Sequence, residues 1–158
     1  MTAEKSKRPG CPAGQTGGMK KPSDSQHITA PAPAVWPSFQ ARDALAMIEF
    51  LTSVFGFRPT AVYADGGTVA HAQLDWPEGG GIMLGSHKPG AAWSREPGTA
   101  GFYVATDRVE DLYRRVTASP AAVIRPLQDA EYGSREFACA DPEGNLWSFG
   151  TYRGEPPA

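Results

Sequence analysis

The 158-residue chain carries 15 Lys/Arg against 17 Asp/Glu, with 41% hydrophobic and 20% charged residues. That mixture suits one soluble globular domain able to fold without disulfide or metal staples. It excludes a membrane span, since no stretch approaches roughly 18 apolar residues, and the basic N-terminus lacks the apolar core of a secretory signal.

Residues 1–35 hold five Lys/Arg and two acids, which leaves ten basic and fifteen acidic residues for the rest of the chain. An acidic remainder argues against nucleic acid as a partner and weakly favours neutral or cationic ligands. The first 35 residues are dense in Pro, Gly, Ser, Lys and Ala. They cannot bury enough surface to offset the entropy of ordering, and a disordered tail is expected. Cys11 and His27 fall there and carry no assigned role. Neither Cys11 nor Cys139 has a metal-spaced partner, as expected of thiols in a reducing cytoplasm.

The domain is expected over 36–152, with a short second tail at 153–158. "WPSFQARD" (36–43) alternates and predicts a strand, and Asp43 caps the helix that follows. In "ALAMIEFLTSVFG" the residues Met47, Phe50, Leu51, Val54 and Phe55 recur at helical spacing until Gly56. "RPTAVYA", a turn at 65–67, "TVAHAQLDW", the "PEGGG" turn and "IMLGS" predict three further strands. The glycine runs at 66–67 and 79–81 lack the context of a phosphate loop and read as hairpin turns.

A Pro/Gly/Lys-rich connector spans 87–98, and then the order repeats. "TAGFYVATD" (99–107) is a strand, and "RVEDLYRRVTAS" a helix for which Asp107 and Glu110 make a capping box. "AVIRPLQ", "REFACAD" and "LWSFGTY" complete the second set of strands. Pro77-Glu78-Gly79 overlies Pro142-Glu143-Gly144 at an offset of 65, and Phe39-x-Ala41-x-Asp43 overlies Tyr103-x-Ala105-x-Asp107 at 64. The chain is therefore a duplicated βαβββ unit (36–86 and 99–152), an α+β fold in which a curved mixed sheet encloses a cleft. Strand parity then puts Phe39, Ala41, Tyr103, Ala105, Ile82, Leu84, Trp147 and Phe149 under the helices. Trp36, Ser38, Gln40, Met83, Ala100, Phe102, Val104, Leu146 and Ser148 face the cleft.

Duplicated βαβββ units with "FLTSVFGF", "VAHAQL" and "DPEGNLWSFGTY" resemble the vicinal oxygen chelate superfamily of glyoxalases, extradiol dioxygenases and bleomycin-resistance proteins, closest to its PhnB-like branch. The resemblance implies a metal ligand on each of four cleft-facing strands. Those positions fall on Trp36, Ala100, Met83 and Ser148, and the neighbours Pro37, Gly101, Leu84 and Phe149 are no better. An indole, a methyl, a thioether and a hydroxyl do not make a site for a divalent first-row cation, so no metal and no cofactor are expected. A homodimer is implied by the resemblance alone.

Without a metal, the expected cleft is aromatic and apolar with a few polar tips. Its candidate ligand-binding residues are Trp36, Ser38, Gln40, His71, Gln73, Met83, Phe102, Tyr132, Arg135 and Ser148. His71 is the one domain histidine inside a predicted strand, and Glu136 lies opposite it in the second unit. They are the candidates for acid–base work. Three readings stay open: metal-independent sequestration of an aromatic or hydrophobic ligand or drug; a lyase, isomerase or dioxygenase using His71 and Glu136, or a metal relocated to His71, Glu136 and Gln40; and a non-catalytic interaction module.

Overall fold

The computed structural model describes residues 33–156. Cys11, His27 and nearly all of the expected N-terminal tail lie outside the described residues. The first unit runs β1 (Ser38–Ala41), α1 (Ala44–Phe50, continued by a π-helical turn at Leu51–Phe55), β2 (Arg58–Asp65), β3 (Thr68–Asp75) and β4 (Gly81–Ser86). The second runs β5 (Gly101–Ala105), α2 (Val109–Thr117), β6 (Ala122–Asp129), β7 (Arg135–Ala140) and β8 (Leu146–Gly150). Hydrogen bonding gives two four-stranded mixed sheets, ordered β1-β4-β3-β2 and β5-β8-β7-β6. The duplicated α+β unit is therefore observed.

Local chemistry sets the first helix. The Asp43 carboxylate accepts the Ala46 amide at 3.0 Å, and Ala44, Met47, Ile48 and Phe50 turn to the core. The Thr52 hydroxyl donates back to the Ile48 carbonyl at 2.7 Å where the ladder widens into its π-helical turn. Gly56, at φ 94°, ends it.

The helix-side faces of both sheets share one aromatic core. The Trp147 ring centroid lies 4.1 Å from Phe102, 5.2 Å from Phe55, 5.9 Å from Phe57 and 6.3 Å from Phe39. Buried Asp141 organises the turn before it: one carboxylate oxygen accepts the Glu143 and Asn145 amides at 3.0 Å, and the other accepts the Trp147 indole N–H at 3.1 Å. That is why "DPEGNLW" holds together as a motif.

One parity expectation is corrected. Phe102 and Val104 turn to the core, while Tyr103 is 47% exposed on the open face. The strand registers give the reason: Phe39 pairs with Leu84, and Val104 pairs with Phe149. The true offset is 65 throughout, so Phe39 corresponds to Val104, and a slip of one residue swaps every side chain between faces. The same slip removes the Asp107/Glu110 capping box. The cap residue of α2 is Arg108, without a side-chain cap of its own, and its amide donates to the Thr106 hydroxyl at 3.1 Å.

The repeated turn has a structural purpose. Glu78, in the turn of the first unit, accepts from the Thr106 hydroxyl at 2.5 Å and the Asp107 amide at 3.0 Å. Glu143, in the turn of the second unit, accepts from the Arg42 and Asp43 amides at 2.8 and 2.9 Å. Each half thus grips the strand-to-helix junction of the other, and the clasp obeys the same pseudo-twofold relation as the sequence. Arg153, from the expected second tail, is tied into it by a 2.6 Å contact with Glu78. Among the described residues no helix is long and apolar enough to cross a membrane.

Candidate functional site

The open face of the first sheet carries a cleft of about 360 Å³. Its floor is strand: Ser38 from β1, Ala70 and His71 from β3, Met83 and Gly85 from β4. Its wall is the 87–98 connector, which contributes Lys88, Ala91, Trp93 and Arg95. Gln40 fixes that wall. Its amide nitrogen donates to the Trp93 carbonyl at 3.2 Å, while its oxygen accepts from the Ser94 hydroxyl at 3.2 Å and the Arg95 amide at 3.3 Å. With donor and acceptor both engaged, Gln40 acts as a brace. Trp93 is left 80% exposed at the rim.

Of the sequence candidates, the cleft brings together Ser38, Gln40, His71 and Met83. Trp36 does not line it: its indole N–H donates to the Pro33 carbonyl at 2.9 Å. Its ring covers Gly81, where a Cβ would stand 2.5 Å from the indole. Gln73 donates to Asp75 at 2.9 Å within its own strand. Phe102 is in the aromatic core and meets a separate crevice between the halves.

The remaining candidates belong to the second unit. Arg125 pairs with the buried Glu136 carboxylate at 2.8 Å and donates to the Ser148 hydroxyl at 3.3 Å. The Tyr132 hydroxyl also donates to Glu136. That hydrogen bond, with a smaller contribution from desolvation, holds the Tyr132 phenol above its usual pKa range. Arg135 reaches the helix side, pairing with Glu110 and Asp129 at 2.7 Å. His71 and Glu136 stand on separate sheets, and His71 stacks on Tyr63 with centroids 6.2 Å apart.

Sequence reasoning missed Lys88, Trp93 and Arg95. The available signal was a lone Trp in a Pro/Gly-rich connector, where side chains often reach over a pocket rim. Cys139 offers no nucleophile: burial, and then nearby Asp141, push its thiol to about 12. The metal positions implied by the resemblance become Trp36, Gly101, Met83 and Ser148 once the offset of 65 is applied. Their side chains supply no imidazole or carboxylate and do not fit a divalent cation. Among the described residues no three His, Cys, Asp or Glu side chains form a metal-binding group.

The fold and site together define a duplicated α+β protein with an apolar cleft on an open sheet face. The Glyoxalase/Bleomycin resistance protein/Dioxygenase superfamily model matches residues 26–149, and the chain belongs to that superfamily. TioX from Micromonospora sp. ML1 is similar at 30% identity and a TM-score of 0.61, over 72% of this chain and 93% of that one. A superfamily member from Sphaerobacter thermophilus shares the fold at 18% identity and a TM-score of 0.55, over 75% and 97% of the two chains. A family enzyme from Burkholderia phytofirmans does so at 22% and 0.54, over 73% and 94%. No curated protein matches the chain.

Proposed function

We propose that this protein is a metal-independent receptor of the bleomycin-resistance type, sequestering a planar aromatic small molecule on the open face of its first sheet. The observation that carries this is the Trp93 indole, exposed at a cleft of about 360 Å³ on a loop that Gln40 fixes through three hydrogen bonds to residues 93–95. An exposed indole on a braced loop is a preorganised stacking surface. Ser38 and His71 offer the polar tips and Met83 a soft floor. The enzyme reading is weaker because Glu136 is already engaged by Arg125 and Tyr132. The cleft itself weighs against an interaction module closed over its own face.

In calorimetric titration, 2-naphthalenemethanol is expected to bind the wild-type protein and to bind Trp93→Ala about tenfold or more weakly, as for a truncated aromatic anchor. Equal affinities would remove Trp93 from the site.

The strands β2 and β6 are largely exposed along their length, and Tyr63, Ile124 and Tyr132 are uncovered large side chains. Such surfaces invite pairing unless covered. We assign their cover to a second copy of the chain, and light scattering should return twice the chain's mass. A monomer at micromolar concentration contradicts that assignment. The PhnB-like placement within the superfamily is likewise proposed, from "FLTSVFGF" and "DPEGNLWSFGTY".

A further inference from the structure

We infer that the ligand of this cleft is an aromatic anion, a planar ring system bearing a carboxylate or a similar acidic group; this rests on the aromatic-cleft reading above. The charged lining is of one sign. Lys88 and Arg95 border the cavity, His71 is the other titratable side chain facing it, and no carboxylate contributes to its wall. That is unexpected in a chain with a formal net charge of −2, whose residues outside the tail are more acidic still.

The two cations also differ from most others in the molecule. Arg42 pairs with Glu143, Arg114 with Asp111, Arg125 with Glu136, Arg135 with Asp129 and Arg153 with Glu78. Among the described residues neither Lys88 nor Arg95 has an ion pair. Arg95 spends one nitrogen on the Ser94 carbonyl, at 2.8 Å, which leaves the rest of its guanidinium fork free. The Gln40 brace that positions Trp93 also holds the Arg95 amide, at 3.3 Å. Ring and charge are therefore set on one wall by one side chain. Cations gathered at an apolar cleft focus the field there even when the whole chain is acidic. A guanidinium is the side chain best shaped to take a carboxylate in two hydrogen bonds. The weak preference for neutral or cationic ligands drawn from overall charge is thereby reversed at the site.

The test compares three probes of one shape by calorimetry: 2-naphthoate, 2-naphthalenemethanol and 2-naphthylmethylammonium. At low salt 2-naphthoate is expected to bind about tenfold more tightly than the alcohol, with the ammonium weakest. Raising the salt to 0.5 M should erode that preference. In the double variant Lys88→Gln/Arg95→Gln, 2-naphthoate should fall to the affinity that the same variant shows for the alcohol. Equal binding of all three probes, or a naphthoate preference that survives in the double variant, overturns the inference and leaves the aromatic cleft standing. Failure of the alcohol as well as the naphthoate to bind overturns both.

Discussion

Trp147→Ala is expected to remove a large part of the stability of the domain. The side chain is fully buried and touches Phe39, Phe55, Phe57, Phe102 and Phe149. Its loss also removes one of the two side-chain hydrogen bonds that a buried Asp141 oxygen accepts, leaving only the one from the Asn145 side-chain amide. Removing such a side chain costs about 3–5 kcal/mol, against a total of about 5–15 kcal/mol for a domain. Urea unfolding should show the midpoint collapse. The adjacent pair on β5 makes the comparison sharp: Phe102→Ala should cost about 2–4 kcal/mol, and Tyr103→Ala no more than about 1 kcal/mol. The reverse order would mean that β5 presents its other face to the core.

The second large effect is expected at the clasp. Burial opposes ionisation of Glu78, but the Thr106 hydroxyl, the Asp107 amide and Arg153 outweigh it and hold the carboxyl below its ordinary range. A carboxyl depressed in the folded state contributes stability above its unfolded pKa, near 4.5, and loses that contribution as the pH falls through the folded value. Glu78→Gln should therefore cost about 1–3 kcal/mol at pH 7, the range for charge-assisted hydrogen bonds. The gap to wild type should narrow progressively as the pH falls below about 4.5. Glu143→Gln should be destabilising at pH 7 too, since it weakens the matching grip on the Arg42 and Asp43 amides. Unchanged denaturation curves for both variants would reduce the clasp to a surface contact.

Much of this architecture was legible from periodicity. Met47, Phe50, Leu51 and Phe55 mark the buried stripe of the first helix, and Ala72, Leu74, Ile82 and Leu84 mark the inward face of β3 and β4. The parity of β5 was not, because "FY" puts aromatics on both faces and Asp107 imitates the cap that Asp43 provides. Glu78 and Glu143 showed only as a repeat, since their partners lie in the other half of the chain. The connector hid Trp93 for a different reason. Its composition is that of a solvated loop, and only the three-dimensional brace from Gln40, more than fifty residues away in sequence, turns it into a wall.

Hydrogen exchange with and without saturating 2-naphthalenemethanol tests most directly whether the first sheet carries the ligand cleft. Added protection is expected in the connector around Trp93 and Ser94 and in the facing parts of β1, β3 and β4. Protection confined to β5–β8, or none anywhere at a concentration where calorimetry reports binding, would contradict the placement of the site.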